Sequence, residues 1–227
     1  MWDVFSKPFV QMEQVQFGYR RSKVILRRVS ADLYQEHCTA IVGANGSGKT
    51  TLGKLLAGIL KPWSGTVRLE GYSTTALRLG QIGQMIGYVF QEPDRQLFAP
   101  TVREELLFVE RLQQRLNPTV EGKADQLLAE FGLGHVQDSF PHSLSRGEKQ
   151  RLALAAVLMR EPGFLILDEP TTGLDLERRQ QLTAYVQRLK AAGVGLVIIS
   201  HDDHFIGDNA DRILTMAGGE ITDDSHS

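Results

Sequence analysis

The sequence predicts an α/β protein. Its expected core is a mostly parallel sheet covered by helices, with an antiparallel β subdomain at the N-terminal end and a helical subdomain inserted later. Three observations lead there. Cys38–Val42, Phe164–Leu167 and Val194–Ser200 read as buried, largely apolar strands separated by helical stretches, the pattern of a sheet covered on both faces. Val10–Tyr19 instead alternates, with Val10, Met12, Val15, Phe17 and Tyr19 apolar, and reads as a half-exposed strand paired antiparallel with Val24–Leu33. From about Gln91 to Ser143 the pattern turns helical and interrupts the alternation of strands and helices. The expected layout is one domain over 1–227, with an α/β core from about 1–90 and 161–227 and a helical subdomain over about 91–160.

The remaining elements follow from local signals. Lys49–Leu60 has helical character and stops at Lys61-Pro62. Thr66–Leu69 and Met85–Phe90 read as strands, with a turn at Glu70-Gly71. Thr101–Arg115 places Val102, Leu106, Val109 and Leu112 at helical spacing, and Thr119–Phe131 is a second helix closed by Gly132. Helices are also expected over Ser145–Arg160 and Leu176–Ala192, the latter stopped by Gly193. Ile213–Met216 and Glu220-Ile221 form a hairpin around Gly218-Gly219, and Asp223–Ser227 reads as a solvated tail.

Composition excludes several classes. The chain has 227 residues and a formal net charge of −2, which argues against binding nucleic acid through bulk positive charge. Cys38 is the single cysteine, so neither an intrachain disulfide nor a cysteine-based metal cluster is expected, and a reducing compartment fits. No apolar run approaches the ~18 residues of a membrane span, and Met1–Val10, which carries Asp3 and Lys7, has no apolar leader core. The expectation is a soluble chain that reaches a membrane only through a partner.

Gly43-Ala44-Asn45-Gly46-Ser47-Gly48-Lys49-Thr50 fits the pattern G-x-x-x-x-G-K-[ST] in full, with a strand before it and a helix after it. Glycines let backbone N–H groups wrap a phosphate, the helix start adds its positive end, Lys49 reaches the β/γ-phosphates and the Thr50 hydroxyl suits Mg²⁺. Asp168 and Glu169 follow a buried strand, at the end where open α/β sheets bind ligands. Asp168 suits Mg²⁺ held through water, and Glu169 suits a general base for the attacking water. The plainer alternative is a carboxylate pair capping the next helix. His201 follows the last core strand, where it would hydrogen-bond the γ-phosphate or serve structure alone; His204 is read as structural.

Leu144-Ser145-Arg146-Gly147-Glu148 lies just upstream of the second carboxylate strand and resembles the LSGGQ signature of ABC ATPases. With the phosphate loop, Asp168-Glu169, Gly173-Leu174-Asp175 and His201, the chain resembles a complete ABC nucleotide-binding domain from about Phe9 to Ile221. The resemblance implies ATP hydrolysis with Mg²⁺ in a head-to-tail dimer. It implies that Tyr19 stacks on adenine (otherwise a plain strand aromatic), that Thr51 joins the nucleotide contacts, and that Gln91 contacts Mg²⁺ and links to the helical lobe. It gives Asp175 a role across the dimer and assigns Leu144, Ser145, Gly147 and Glu148 to the signature that meets the partner's ATP. Arg146 and Glu148 depart from the usual Gly and Gln. A carboxylate at Glu148 should turn to its own lobe rather than face phosphate, while the charged run Arg146–Arg151 has a solvated helix face as its plain alternative.

Gln91–Phe98 and Thr101–Leu106 resemble the corresponding stretch of energy-coupling-factor (ECF) and cobalt/nickel importer ATPases. The resemblance implies a docking surface for a membrane-embedded coupling subunit. An exposed loop carrying Leu97, Phe98 and Pro100 would be its apolar anchor, and Arg95, Arg103, Glu104 and Glu105 would set register; the alternative is that Leu97 and Phe98 pack inside the lobe. It also implies a partner ATPase, the same or different, a separate membrane substrate-binding protein, a vitamin or transition-metal cargo, and a place on the cytoplasmic face of the membrane. A conventional ABC importer or exporter subunit is the alternative. Non-transport ABC proteins fit less well, lacking here the coiled-coil insertion or second cassette, and a small-molecule kinase would not explain the signature. The short stretch after Gly218-Gly219 leaves little expected room for a C-terminal domain.

Overall fold

The computed structural model describes residues 7–226, so residues 1–6 of the leader reading and Ser227 of the expected tail lie outside it. The chain opens with β1 (Val10–Phe17) and β2 (Leu26–Leu33), which pair antiparallel with Val10 opposite Leu33. Their apolar residues share one face: Val10, Met12, Val15, Leu26, Val29 and Leu33 are all buried. The buried strand β3 (Cys38–Val42) leads through a glycine-rich turn into α1 (Lys49–Leu56). That helix is one turn shorter than its spacing predicts, because Gly58 takes a left-handed φ of 63° that closes it before Leu60.

Next come β4 (Ser64–Leu69), the short β5 (Tyr72–Ser73), α2 (Leu79–Met85) and β6 (Ile86–Val89). Strands β2-β1-β4-β5 make a four-stranded sheet. The helices α3 (Val102–Leu112), α4 (Pro118–Glu130) and α5 (Arg146–Leu158) follow. Asn117 caps α4 through Val120 N and places Pro118 at its first turn, where a missing N–H costs nothing. The chain then runs through β7 (Phe164–Asp168), α6 (Leu176–Ala191), β8 (Gly195–Ile199), α7 (Asp203–Asn209), β9 (Arg212–Ala217) and β10 (Glu220–His226).

The second sheet has the order β10-β9-β3-β8-β7-β6. Strand β8 lies parallel between β3 and β7, with Ile41 and Asp168 both opposite Ile199. Every residue of β7 and β8 is buried, which accounts for their uninterrupted apolar runs. The chain divides into two compact units. One holds the chain up to Tyr88, then Pro162–Thr171, then Asp175 onward; the other holds Val89–Glu161 with Thr172–Leu174.

Asp223–His226 are exposed, as expected of a solvated segment, but they are not a loose tail: β10 continues to His226, antiparallel to β9. Arg212 explains why. Its Nε and Nη2 donate to the two oxygens of Asp224 at 2.7 and 2.6 Å, and its Nη1 donates to the Asp32 carbonyl at 2.6 Å. The Arg212 hydrogen bond holds the Asp224 carboxyl below its usual range. The pair is therefore fully formed at neutral pH, and its contribution is lost as pH falls through that lowered value. Arg212→Ala should speed amide exchange over Asp223–His226 by about tenfold while leaving β7 and β8 protected, measured by hydrogen–deuterium exchange.

Candidate functional site

The turn between β3 and α1 is built for close backbone approach. Gly43 and Gly48 have φ values of 139° and 108°. A Cβ on Gly43 would lie 2.2 Å from the Met216 carbonyl oxygen, and one on Gly48 would lie 2.7 Å from Leu26 Cδ2, so both positions require glycine. Lys49, the first residue of α1, folds its ammonium back onto the Gly43 and Ala44 carbonyls at 2.7 and 3.2 Å. The Ser47 hydroxyl is buried in the same loop with no partner. An orphaned buried hydroxyl is costly, whereas a phosphate against this helix start would accept from it. The loop therefore fits the phosphates of ATP.

The ladder of β3, β8 and β7 brings the other polar groups to the same strand ends. Asp168 closes β7 and is 1% exposed. Its Oδ1 accepts from the Thr50 hydroxyl at 3.1 Å and its Oδ2 from the Tyr88 hydroxyl at 2.8 Å. Burial raises the Asp168 carboxyl, with both hydrogen bonds opposing that rise. Burial, followed by the neighbouring Asp168 charge, pushes the Tyr88 phenol up. Thr50 and Asp168 supply hard oxygen donors, and the described residues hold no cluster of three or more His, Cys, Asp or Glu suited to a metal. That donor set fits Mg²⁺, which is usually bound by one or two carboxylates together with substrate phosphates.

Glu169 has a left-handed φ of 52°, and its N–H donates to the Ile199 carbonyl at 2.7 Å. A non-glycine residue held so costs about 1–3 kcal/mol, and such strain gathers at functional positions. His201 Nδ1 lies 2.8 Å from Glu169 Oε2, yet the two are not lined up as a hydrogen bond, and that buried oxygen has no aligned donor. Tyr19 is 60% exposed beside α1, with its hydroxyl 3.4 Å from the Thr51 hydroxyl.

In the second unit, Ser145 caps α5 in a reciprocal box. Glu148 Oε2 accepts from the Ser145 N–H at 2.9 Å and from its hydroxyl at 2.6 Å. Those bonds hold the Glu148 carboxyl below its usual range, and they turn it onto its own helix start. Lys149 donates to Asp94 at 2.7 Å, tying α5 to the loop after β6. Arg146 lies over Gly173, where a Cβ would sit 3.3 Å from Arg146 Cδ.

Residues 26–172 match the family model described as ABC transporter. The chain belongs to the ABC transporter family. An ABC transporter ATP-binding protein of Pyrococcus furiosus, so named provisionally, is 38% identical over 212 residues, covering 93% of this chain and 81% of the relative. The energy-coupling factor transporter ATP-binding protein EcfA1 of Mycoplasmoides gallisepticum is 35% identical over 214 residues, covering 93% of this chain and 76% of that one. Among solved structures, CbiO1 of Clostridium perfringens, part of the ABC transporter complex CbiONQ, superposes with a TM-score of 0.83 at 30% identity, covering 96% of this chain and 88% of the other. The cassette is thus the ATP-binding subunit of an ABC transporter and an ATPase. No described helix is long and apolar enough to cross a membrane.

Several expected site residues of the cassette fall elsewhere than the sequence implies. Leu97 is buried rather than exposed, at 2% exposure. Glu105 decides this. Its buried carboxylate accepts from Phe98 N and Ala99 N at 2.9 and 2.7 Å, so the loop turns Leu97 and Ala99 inward and leaves Phe98 outside, edge-on to Phe108. Glu105 is therefore an internal anchor rather than a register-setting surface charge. Arg103 pairs with Asp125 of α4, and Arg95 with Glu92 at 2.6 Å. Leu144 is 8% exposed, so the side chain is buried rather than offered as a surface. Ser145 and Gln91 are exposed, and Asp175 caps α6 through Arg178 N. Sequence reading missed Tyr88. Its one signal was a tyrosine within a fully buried strand, where a hydroxyl must find a partner.

Leu97→Asp should destabilise the helical unit by about 3 kcal/mol or more, because it buries a carboxylate with no partner. Thermal unfolding of the variant should show a clear fall in Tm, whereas Phe98→Asp, at an exposed position, should leave Tm nearly unchanged.

Proposed function

We propose that the cassette powers an importer of the energy-coupling-factor type, carrying a vitamin or a transition-metal ion, from the cytoplasmic face of the membrane. The observation that carries this reading is the likeness to EcfA1 and CbiO1 together with the Gln91–Leu106 stretch. In this reading it works as half of a head-to-tail ATPase dimer, with the same or a different partner. It docks on a membrane coupling subunit, and a separate membrane protein selects the cargo.

The chemistry follows from the strand ends. Backbone N–H groups of Gly43, Ala44, Asn45, Gly46, Ser47 and Gly48 cradle the phosphates of ATP, and Tyr19 and Thr51 flank the nucleotide. Lys49 exchanges its two loop carbonyls for phosphate oxygens. Thr50 and Asp168 would hold Mg²⁺, and the resemblance gives Gln91 a contact to the same ion, which when bound would supply neutralisation of charge on the phosphates. Glu169 accepts the proton of the attacking water, and His201, beside its carboxylate, holds that water and the γ-phosphate in line. Exposed Ser145, with Gly147 and the first turn of α5 that Glu148 caps, meets the ATP of the facing subunit, and Asp175 communicates across the dimer.

Coupling to the membrane uses the second unit. Phe98 and Phe108 form an exposed aromatic pair with ring centroids 4.5 Å apart, a fit for an apolar membrane-subunit helix. Arg95 and Arg103 flank it, their charges already balanced by Glu92 and Asp125. The Asp94–Lys149 ion pair connects this loop to α5, and hence to the Ser145 cap.

Glu169→Gln should bind ATP normally yet lose turnover by about 10²–10⁴-fold and accumulate as a closed dimer, read by ATPase assay and size-exclusion chromatography. Near-wild-type turnover would remove Glu169 as the base. Phe98→Asp should retain ATP binding and lose co-purification with the membrane subunits in a mild-detergent pull-down. Recovery of a coupling subunit plus a small cargo-binding membrane protein with the wild type supports the energy-coupling-factor reading, and two full-size permease domains would replace it with a conventional transporter.

A further inference from the structure

Tyr88, which lies outside the sequence motifs, contributes a hydroxyl to the Asp168 carboxylate. Asp168 is 1% exposed and Tyr88 is 7% exposed, so water does not substitute for the bond between them. Tyr88 stands on β6, the strand beside β7 in the sheet, and its hydroxyl donates to Asp168 Oδ2 at 2.8 Å. The Thr50 hydroxyl donates to Oδ1 at 3.1 Å. One donor on each oxygen fixes the plane of the carboxylate and leaves about one lone-pair site per oxygen for a metal-bound water.

The two donors are not equivalent. Thr50 is itself proposed as a metal ligand, so its hydroxyl must readjust when the ion enters. The Tyr88 hydroxyl sits at the end of a rigid ring buried in a strand, with no role on the ion. A carboxylate that serves a metal through water needs such an outer partner to keep its oxygens aimed.

We infer that Tyr88 is a positioning residue for magnesium: its hydroxyl holds the Asp168 carboxylate in the orientation that receives the ion with ATP. This rests on the proposed reading of Thr50 and Asp168 as the magnesium-holding pair.

The test is a Mg²⁺ titration of the binding of a fluorescent ATP analogue to the full chain, comparing wild type, Tyr88→Phe and Lys49→Ala. Tyr88→Phe keeps the ring and removes only the hydroxyl. It should bind the analogue as wild type does in EDTA, yet need about tenfold more Mg²⁺ to reach the midpoint of the metal-dependent gain. The midpoint is read from folded molecules, so a partly misfolded preparation still reports it. A midpoint within twofold of wild type overturns the inference, and a fall in Tm without a midpoint shift overturns it equally, leaving Tyr88 a packing residue. Wild-type binding that ignores Mg²⁺ would instead remove the Thr50–Asp168 reading beneath it. Undiminished binding by Lys49→Ala would remove the phosphate-loop reading. These failures are therefore distinguishable.

Discussion

The parallel ladder that seats β8 between β3 and β7 is the constraint on which the α/β unit depends. Ile41 of β3 and Asp168 of β7 share one partner, Ile199 of β8. That register brings the strand ends level, so the phosphate loop after Val42, His201 after Ile199 and the Asp168-Glu169 pair emerge side by side. A slip in either pairing would move Asp168 away from Thr50 and leave a buried carboxylate short of a donor, which is costly in a dry interior. The apolar strands exclude water, and the exclusion makes each hydroxyl on Asp168 matter. Packing and chemistry are thus set by the same pairing.

The strong motifs were legible because their chemistry demands particular residue types at fixed spacing. A loop that wraps phosphate needs glycine where φ is positive, and Gly43 and Gly48 show that demand directly. Buried strands need unbroken apolar runs, and β7 and β8 have them. What escaped reading was settled by partners distant in sequence or by residues that weaken local signals. Helix α2 contains Gly80 and Gly83, and α7 contains Gly207, so propensity argues against both. Asp202 nonetheless caps α7 through Phe205 N, and Phe205 and Ile206 bury its apolar side. Strand β10 is polar throughout its last residues and holds its place through Arg212 and the ladder with β9.

Leu97 and Phe98 show the limit of composition most clearly. As neighbours of similar apolarity they read alike, yet one is buried and the other exposed. The difference lies in a carboxylate on the following helix. Glu105 binds two successive backbone N–H groups, and that fixes which way each side chain leaves the loop. Charged residues near an apolar loop thus served its internal geometry, whereas the sequence alone reads them as surface contacts. The same holds for Arg103, whose partner on α4 is visible only once the helices pack.

The chain crosses between its two units at points that bracket the chemistry. It leaves the α/β unit just after Tyr88, three residues before Gln91, and it crosses again between Thr171 and Asp175, soon after Glu169. Within the second excursion Gly173 lies under Arg146, at the first turn of the signature helix α5. The backbone that carries the carboxylates is therefore continuous, within a few residues, with the segment that touches the signature turn. Asp168 and Glu169 are linked through a few residues of chain to Gly173, which lies against Arg146, and Tyr88 is linked likewise to Gln91 and Asp94. Asp94 is in turn bonded to Lys149 on α5, so both routes end on the same helix. The chain thus links the strand ends that carry Asp168 and Tyr88 to α5 through a few residues and two side-chain contacts, with no long path through the core.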